Sequence, residues 1–343
     1  MSLKKTIQLN NGLQIPQIGF GTWLAKPGEV GNAVEVALKT GYTHLDLARI
    51  YHNQAEVGEG IRRSGVRRSD IFITSKLWNN AHKPANVEKD LDETLKQLGP
   101  GIDYLDLYLM HFPISFATDD VNELCPKDPN DPSKVAIDTE TSILDTWIAL
   151  IGVLKSGKVR SIGVSNCTID IIKTLIAKSD VVPVVNQIER HPKLSQPELI
   201  EYCLSQNIQI QAYSPLGNNE FGLSKVIDHE EWQAYVKKLG KDPGQVAIAW
   251  GRTLPSSQTK SKTPIPIIVL VKSVSEKRIK LNFEDFELTD EQYKEIDEVV
   301  RPKLLGKGDI TRFVLPNMLD PSWNTNIWNE EREQDAKYKV KIE

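Results

Sequence analysis

Four residues carry groups that could move a proton. Asp46 lies in HLDLARIYHNQ (44–54), between Leu45 and Leu47, and Tyr51 follows five positions later. Lys76 closes ITSK (73–76), and His111 closes LYLMH (107–111). Three of these groups end apolar runs, where an unpaired buried charge costs several kcal/mol. Asp46 and Lys76 offset that cost if they meet. The phenol then becomes the informative group. An unperturbed tyrosine has a pKa of about 10 and is a poor acid at pH 7. A nearby ammonium stabilises the phenolate and lowers that value. The set therefore predicts Tyr51 as a general acid, Lys76 tuning it, Asp46 holding Lys76, and His111 orienting a carbonyl oxygen. It contains neither a nucleophile nor a metal cluster, so the attacking group must be brought in. A hydride from a bound nicotinamide fits that need.

These groups act together only if the fold delivers them to one face. Short apolar runs at 18–21, 43–47, 70–75, 104–110, 159–164, 182–188, 208–213 and 265–271 alternate with helical periodicity. The helices are expected near 29–40, 54–63, 86–98, 140–157, 169–178, 196–206, 229–239, 243–253, 276–283 and 290–299. Eight strand-then-helix units predict an α/β fold, a (β/α)8 TIM barrel, which takes about 250 residues and more with insertions. An open doubly wound sheet would carry GxGxxG after its first strand, and GFGTWL lacks the third glycine. Gly58 and Gly60 fall inside a predicted helix and are read as incidental. TIQLNNGLQIPQI (6–18) predicts an N-terminal β-hairpin.

Residues 1–343 are read as one domain. Residues 112–139 form a long loop after the fourth strand, on the C-terminal face of the barrel. Residues 301–343 form a tail, rich in Pro and Trp, expected to pack back on it. The SSQTKSKT insertion (256–263) joins a helix to the eighth strand and is expected at the opposite end, with no catalytic role.

The other strand ends carry a second set. Ser165 and Asn166 lie in GVSNC (163–167), which lacks the second glycine of a GxSxG elbow and reads as hydrogen-bonding groups. Gln187 ends the sixth strand. Tyr213 ends the seventh, as a stacking platform for a flat heterocycle or as a core aromatic. Lys272, Ser273 and Arg278 cluster where the eighth strand meets its helix, as a phosphate site or as a solvated helix face.

A net charge of −4 argues against a nucleic-acid partner. The three cysteines, Cys125, Cys167 and Cys203, show no paired spacing and suit a reducing compartment. No signal-peptide pattern opens the chain, and no apolar run approaches the roughly 18 to 20 residues of a membrane span. A cytoplasmic location without a membrane partner is expected, and the Asn166-Cys167-Thr168 sequon is read as accidental.

GFGTW, HLDLARIYHNQAEVG, ITSKLWNN, LDLYLMHFP, GKVRSIGVSN, VNQIERHP, AYSPLG and KSVSEKRI, in that order, resemble the aldo-keto reductase superfamily from about Thr6 to Arg301. Within it the chain is most similar to fungal NADPH-dependent aldehyde reductases of the Sporobolomyces type. The resemblance implies a tetrad of Tyr51, Asp46, Lys76 and His111. It implies that Ser165, Asn166 and Gln187 hold the nicotinamide carboxamide and that Tyr213 stacks on the ring. Lys272, Ser273 and Arg278 would grip the 2′-phosphate, favouring NADPH/NADP+ over NADH. Gly21, Thr22, Trp23, Asp46, Ser214, Leu216, Val274 and Asn282 would complete the cofactor groove. Trp23, Ile50, Trp78, His111 and Phe112 would line the pocket for a small-molecule carbonyl substrate.

Departures from the family pattern fall at Leu47 and Arg49, at Phe112 where many relatives carry tryptophan, at Val271 where many carry proline, and at Leu281. The expected activity is reduction of aldehydes and activated ketones by a monomer. Two alternatives stand beside it: an NADP-dependent dehydrogenase of glycerol-type polyols, and a non-catalytic cofactor-binding barrel.

Overall fold

The chain opens with an antiparallel hairpin, β1 (Thr6–Gln8) against β2 (Gln14–Pro16), with Ile7 opposite Ile15. Both isoleucines are buried and plug the barrel floor against Phe72, Leu107, Leu109, Val185 and Ile268. Above them stand β3 (Ile18–Gly21), β4 (His44–Asp46), β5 (Phe72–Leu77), β6 (Leu107–Met110), β7 (Ile162–Ser165), β8 (Val185–Glu189) and β9 (Gln209–Tyr213). The short strands β10 (Thr253–Leu254) and β11 (Ile265–Pro266) pair with each other, and β12 (Ile268–Val271) closes the barrel between β9 and β3. All eight barrel strands are parallel. The computed structural model describes residues 5–256, 259, 264–306 and 311–343.

The helices are α1 (Val30–Thr40), α2 (Gln54–Ser64), α3 (Pro84–Leu98), α4 (Ile143–Val153), α5 (Ile169–Ser179), α6 (Pro197–Ser205), α7 (Glu230–Leu239), α8 (Pro243–Gly251), α9 (Glu276–Asn282), α10 (Asp290–Glu295) and α11 (Arg301–Leu305). The apolar faces of α1–α6 and α9 join the outside of the barrel in one core, and α7, α10 and α11 pack with α8 in a second.

The fold agrees with the sequence reading, with local differences. The eighth barrel strand begins at Ile268 rather than Ile265: Pro266 has no N–H for a central ladder, and its segment folds into the β10–β11 hairpin instead. Helix α4 starts at Ile143 because Ser142 and Asp145 form a capping box there. The helix expected at 290–299 is α-helical only to Glu295 and continues as a π-turn over Ile296–Val300 into α11.

Gly58 and Gly60 have a packing role. A Cβ on Gly58 would lie 1.9 Å from the Leu98 carbonyl oxygen, and one on Gly60 2.4 Å from that of Gly31, so α2 needs both glycines to approach its neighbours. Most of the 256–263 insertion lies outside the described residues.

The long loop and the tail meet above the barrel. Val135 N–H donates to the Ser322 carbonyl (2.8 Å), and Ser322 N–H to that of Ser133 (2.9 Å). The Trp323 ring packs on Phe112, Phe116 and Trp78 at centroid distances of 4.9, 5.3 and 5.6 Å. Farther along, the short strands β13 (Thr325–Asn326) and β14 (Tyr338–Lys339) pair in parallel.

Candidate active site

Strand register brings the predicted quartet together. Asp46, the last residue of β4, is level with Thr74 of β5, and Lys76 lies two residues farther on the same strand face. Leu77 is level with Met110 of β6, and the His111 N–H continues the ladder to the Leu77 carbonyl at 3.1 Å. Tyr51 closes the single 3₁₀ turn Arg49–Tyr51 after β4.

The Lys76 ammonium, fully buried, donates to Asp46 Oδ2 (2.7 Å), the Leu47 carbonyl (2.7 Å) and the Tyr51 hydroxyl (3.3 Å). Asp46 Oδ1 accepts from Gln187 Nε2 at 2.8 Å. His111 stands edge-on to the Tyr51 ring, centroids 5.9 Å apart, and to the Trp78 ring at 5.0 Å.

The electrostatics depart from the expectation in one respect. Burial, then the Asp46 charge and the Tyr213 phenol, hold the Tyr51 hydroxyl well above the ordinary phenol range rather than below it. Lys76 is within reach, but its own ammonium is pushed down by burial, with Asp46 pulling back. The Asp46 carboxyl is pushed up by the same burial, with Lys76 and Gln187 opposing. Burial, together with the Lys76 charge and His82, lowers His111 well below its usual value, so it acts as a neutral imidazole. Depth of burial is a tertiary property that strand patterning does not contain.

A cleft of about 630 Å³ opens over the quartet. Gly21, Thr22, Trp23, Asp46, Ile50, Tyr51, Trp78, His111, Phe112, Asn166, Gln187, Tyr213, Ser214, Leu216 and Lys272 all line it. Tyr213 donates to Asn166 Oδ1 (2.7 Å), and Asn166 Nδ2 donates to the His111 carbonyl (2.9 Å). Ser165 is buried behind this wall, bonded to the Gln187 carbonyl at 2.9 Å. The Gln187 amide nitrogen is turned toward Asp46 and Gln211.

At the far end the Lys272 ammonium reaches across to the Leu24 carbonyl (2.8 Å), and Arg278 Nε lies 3.3 Å from Ser273 Oγ. Burial pushes Lys272 down; Glu29 opposes this, and Arg278 and Lys225 add to it as neighbouring cations. Ser273, Val274, Arg278 and Asn282 lie outside the cleft lining, with Val274 38% exposed and Asn282 buried near Gly244. Among the described residues no cluster of His, Cys, Asp and Glu could hold a metal ion. No helix among them is long and apolar enough to cross a membrane.

The sequence profile of the Aldo/keto reductase family matches residues 17–301. The chain belongs to that family. It is an oxidoreductase whose fold and site suit carbonyl reduction. Across its whole length and 99% of the relative it is 47% identical to a D/L-glyceraldehyde reductase of Hypocrea jecorina. Over 87% of this chain and 92% of the relative it is 39% identical to a glycerol 2-dehydrogenase (NADP(+)) of Saccharomyces cerevisiae. Among solved structures it is similar to an aldose reductase from Schistosoma japonicum: TM-score 0.77 and 34% identity, covering 95% of this chain and 99% of that one.

Several lining residues carry no chemical signature in the sequence. Val314, Pro316, Leu319, Asp320, Pro321 and Trp323 come from the tail, and Cys125 from the long loop. Only the tail's Pro and Trp content signalled that it folds onto something. Asn53, whose amide holds the Thr22 carbonyl at 2.9 Å, and Gln211, which braces Gln187 at 3.0 Å, are supports that strand-end reasoning does not reach.

Proposed function

We propose that this protein is an NADPH-dependent reductase of aldehydes and activated ketones, with Tyr51 as its general acid. The observation that carries the reading is the Lys76 ammonium shared between Asp46 and the Tyr51 hydroxyl at the floor of the cleft. Because burial keeps the phenol protonated at neutral pH, Tyr51 holds the proton that a carbonyl oxygen needs. As that proton leaves, the phenolate forms 3.3 Å from Lys76, where charge stabilisation is greatest in the transition state. The neutral His111 ring directs the carbonyl oxygen to Tyr51.

The cleft fits NADPH. It runs from Tyr51 to Lys272 without a break and lies within the usual volume range of cofactor pockets. Its far end is lined by Lys272 and Lys225, with Arg278 beside Ser273 outside the lining, a site for phosphate charge. A nicotinamide held at the Tyr51 end would supply the hydride. Tyr213 gives a flat floor for the ring, with Asn166 and Gln187 beside it. Trp23, Trp78, Phe112 and Trp323 exclude water from the carbonyl. Asp320 is a carboxylate at the tail end of the lining, and the lining cations Lys225 and Lys272 lie at the cofactor end, which favours uncharged aldehydes over those bearing a carboxylate.

The same atoms run the reverse reaction, so oxidation of a glycerol-type polyol is the second direction of one site; the resemblance to the yeast glycerol 2-dehydrogenase favours keeping it. A non-catalytic barrel would have no need of the complete quartet. We read the protein as a cytoplasmic monomer whose tail walls the cleft with residues from Val314 to Trp323.

The test is NADPH oxidation followed with glyceraldehyde and with glucuronate. Glyceraldehyde should be turned over with the higher kcat/KM, and Arg278→Ala should weaken NADPH roughly tenfold or more while leaving NADH nearly unchanged. Silence across carbonyl substrates would favour the binding-barrel reading, and equal losses for both cofactors would remove Arg278 from the 2′-phosphate.

A further inference from the structure

Arg49 stands two residues before Tyr51, yet its side chain turns away from the cleft. It is buried. Nη1 donates to Asp90 Oδ1 of α3 at 2.9 Å, and Nη2 donates to the Val121 carbonyl (3.2 Å) and to Asn122 Oδ1 (2.9 Å) in the long loop. Asp90 is fully buried too, and its other oxygen accepts from the Tyr108 hydroxyl of β6 at 2.7 Å. One guanidinium thus ties the catalytic turn, α3 and the loop together, and Asp90 carries the tie on to the barrel wall.

The stretch of loop it holds borders the cleft. Asn80 Nδ2 donates to the Asp120 (3.2 Å) and Val121 (2.9 Å) carbonyls. Trp78 Nε1 donates to the Leu124 carbonyl at 2.7 Å, and both Trp78 and Cys125 line the cleft. The Trp78 ring is also the one packed edge-on to His111. A shift of 119–125 would therefore reach the substrate wall through Leu124 and Trp78.

A buried ion pair is a poor way to add stability, since well-packed apolar side chains do as well or better; its better attested use is to fix one arrangement among several. The planar fork of arginine suits that use, because it serves a carboxylate and two loop acceptors in fixed directions. We propose that Arg49, oriented by Asp90, is a positioning residue that sets the 119–125 segment against the substrate end of the cleft and so determines affinity for the carbonyl substrate without touching it. The proposal rests on the reductase reading of the cleft.

The charges support it. Burial pushes the Asp90 carboxyl up to about 6, with Arg49, the Tyr108 hydroxyl and the Trp78 backbone N–H opposing and Glu93 adding, so the pair is ionic at pH 7.

Arg49→Met should raise KM for glyceraldehyde roughly tenfold, with kcat within about threefold of wild type and NADPH affinity unchanged. Arg49→Lys, which keeps the charge but not the fork, should recover only part of the loss. Because Arg49→Met leaves Asp90 buried and unpaired, the deciding variant is Arg49→Met with Asp90→Asn, which removes both charges and keeps an acceptor for Tyr108. It should recover thermal stability while KM stays high, with faster hydrogen exchange confined to 119–125. A stable double variant with wild-type KM and wild-type exchange would overturn the proposal. If wild type reduces no carbonyl compound at all, the reductase reading fails instead, and exchange at 119–125 still decides whether Arg49 orders the loop.

Discussion

Asp46, Lys76, Tyr51 and His111 were legible in the sequence for one reason. Each belongs to a strand end or to the turn after one, and in a barrel the C-terminal ends of parallel strands converge on one face. The direction in which burial moves the phenol was not legible, because it depends on how much protein covers Tyr51. Burial pushes Asp46 up and Lys76 down, and each charge offsets part of that push on the other. Lys76→Met should therefore cost about 3–5 kcal/mol in urea unfolding, the usual penalty for stranding one buried charge, and adding Asp46→Asn should recover a good part of it. A Lys76→Met protein as stable as wild type would mean that the pair is not ionic.

At the scale of elements, the tail is the part that sequence reading placed least well. Its positions carry no strand-end logic, and one of its anchors is a buried side chain on the barrel. Glu189, the last residue of β8, is fully buried and accepts from the Phe313 N–H (2.5 Å), the Val314 N–H (3.0 Å) and His191 Nε2 (2.8 Å). Burial alone would raise its carboxyl, but the His191 hydrogen bond, the Arg312 charge and the Phe313 N–H hold it below the ordinary value. Val314 and Pro316, which follow at once, line the cleft. Glu189→Gln keeps the shape and removes the charge. It should lower stability by about 1–3 kcal/mol, as lost charge-assisted hydrogen bonds do, and raise KM for aldehydes more than it lowers kcat. Limited proteolysis should show cleavage beginning within 311–330; unchanged protease resistance would contradict the anchoring role. Gly58 and Gly60 hold a related lesson. They look incidental in a helical pattern because the close approach they allow involves partners far along the chain.

At the scale of the whole molecule, four histidines are buried and held neutral. Burial pushes His44 and His82 down to about 3 and lowers His111 and His191. The unfolded chain takes up protons at these sites near pH 6.5, and the folded chain does not until lower pH. Their contribution to stability is thus complete above pH 6.5 and is lost as pH falls toward the folded values. Asp90 and Asp46, raised by burial, act in the opposite sense, and the histidines outnumber them. Unfolding free energy should be nearly flat between about pH 7 and 8 and fall steadily below about pH 5.5. His82 has no hydrogen-bond partner at either ring nitrogen among the described residues, so His82→Gln isolates one site. That variant should flatten the acid slope by about 1.4 kcal/mol per pH unit, the value for one proton. An unchanged slope would show that His82 titrates in the folded state. The overall architecture was readable because the alternation of strand and helix spans the entire chain, whereas the fit of loop to tail depends on contacts such as Val135 with Ser322 that no local pattern encodes.

In the proposed reductase everything turns on the Tyr51 hydroxyl delivering the proton to the carbonyl oxygen. Tyr51→Phe removes one oxygen and leaves the Lys76–Asp46 pair in place. Single-turnover oxidation of NADPH by glyceraldehyde, measured together with NADPH affinity, tests the claim most directly. The rate should fall by about 10²–10⁴, the usual contribution of a general acid, with NADPH affinity within about twofold of wild type. A Tyr51→Phe protein that binds NADPH normally and reduces glyceraldehyde at close to the wild-type rate would contradict it.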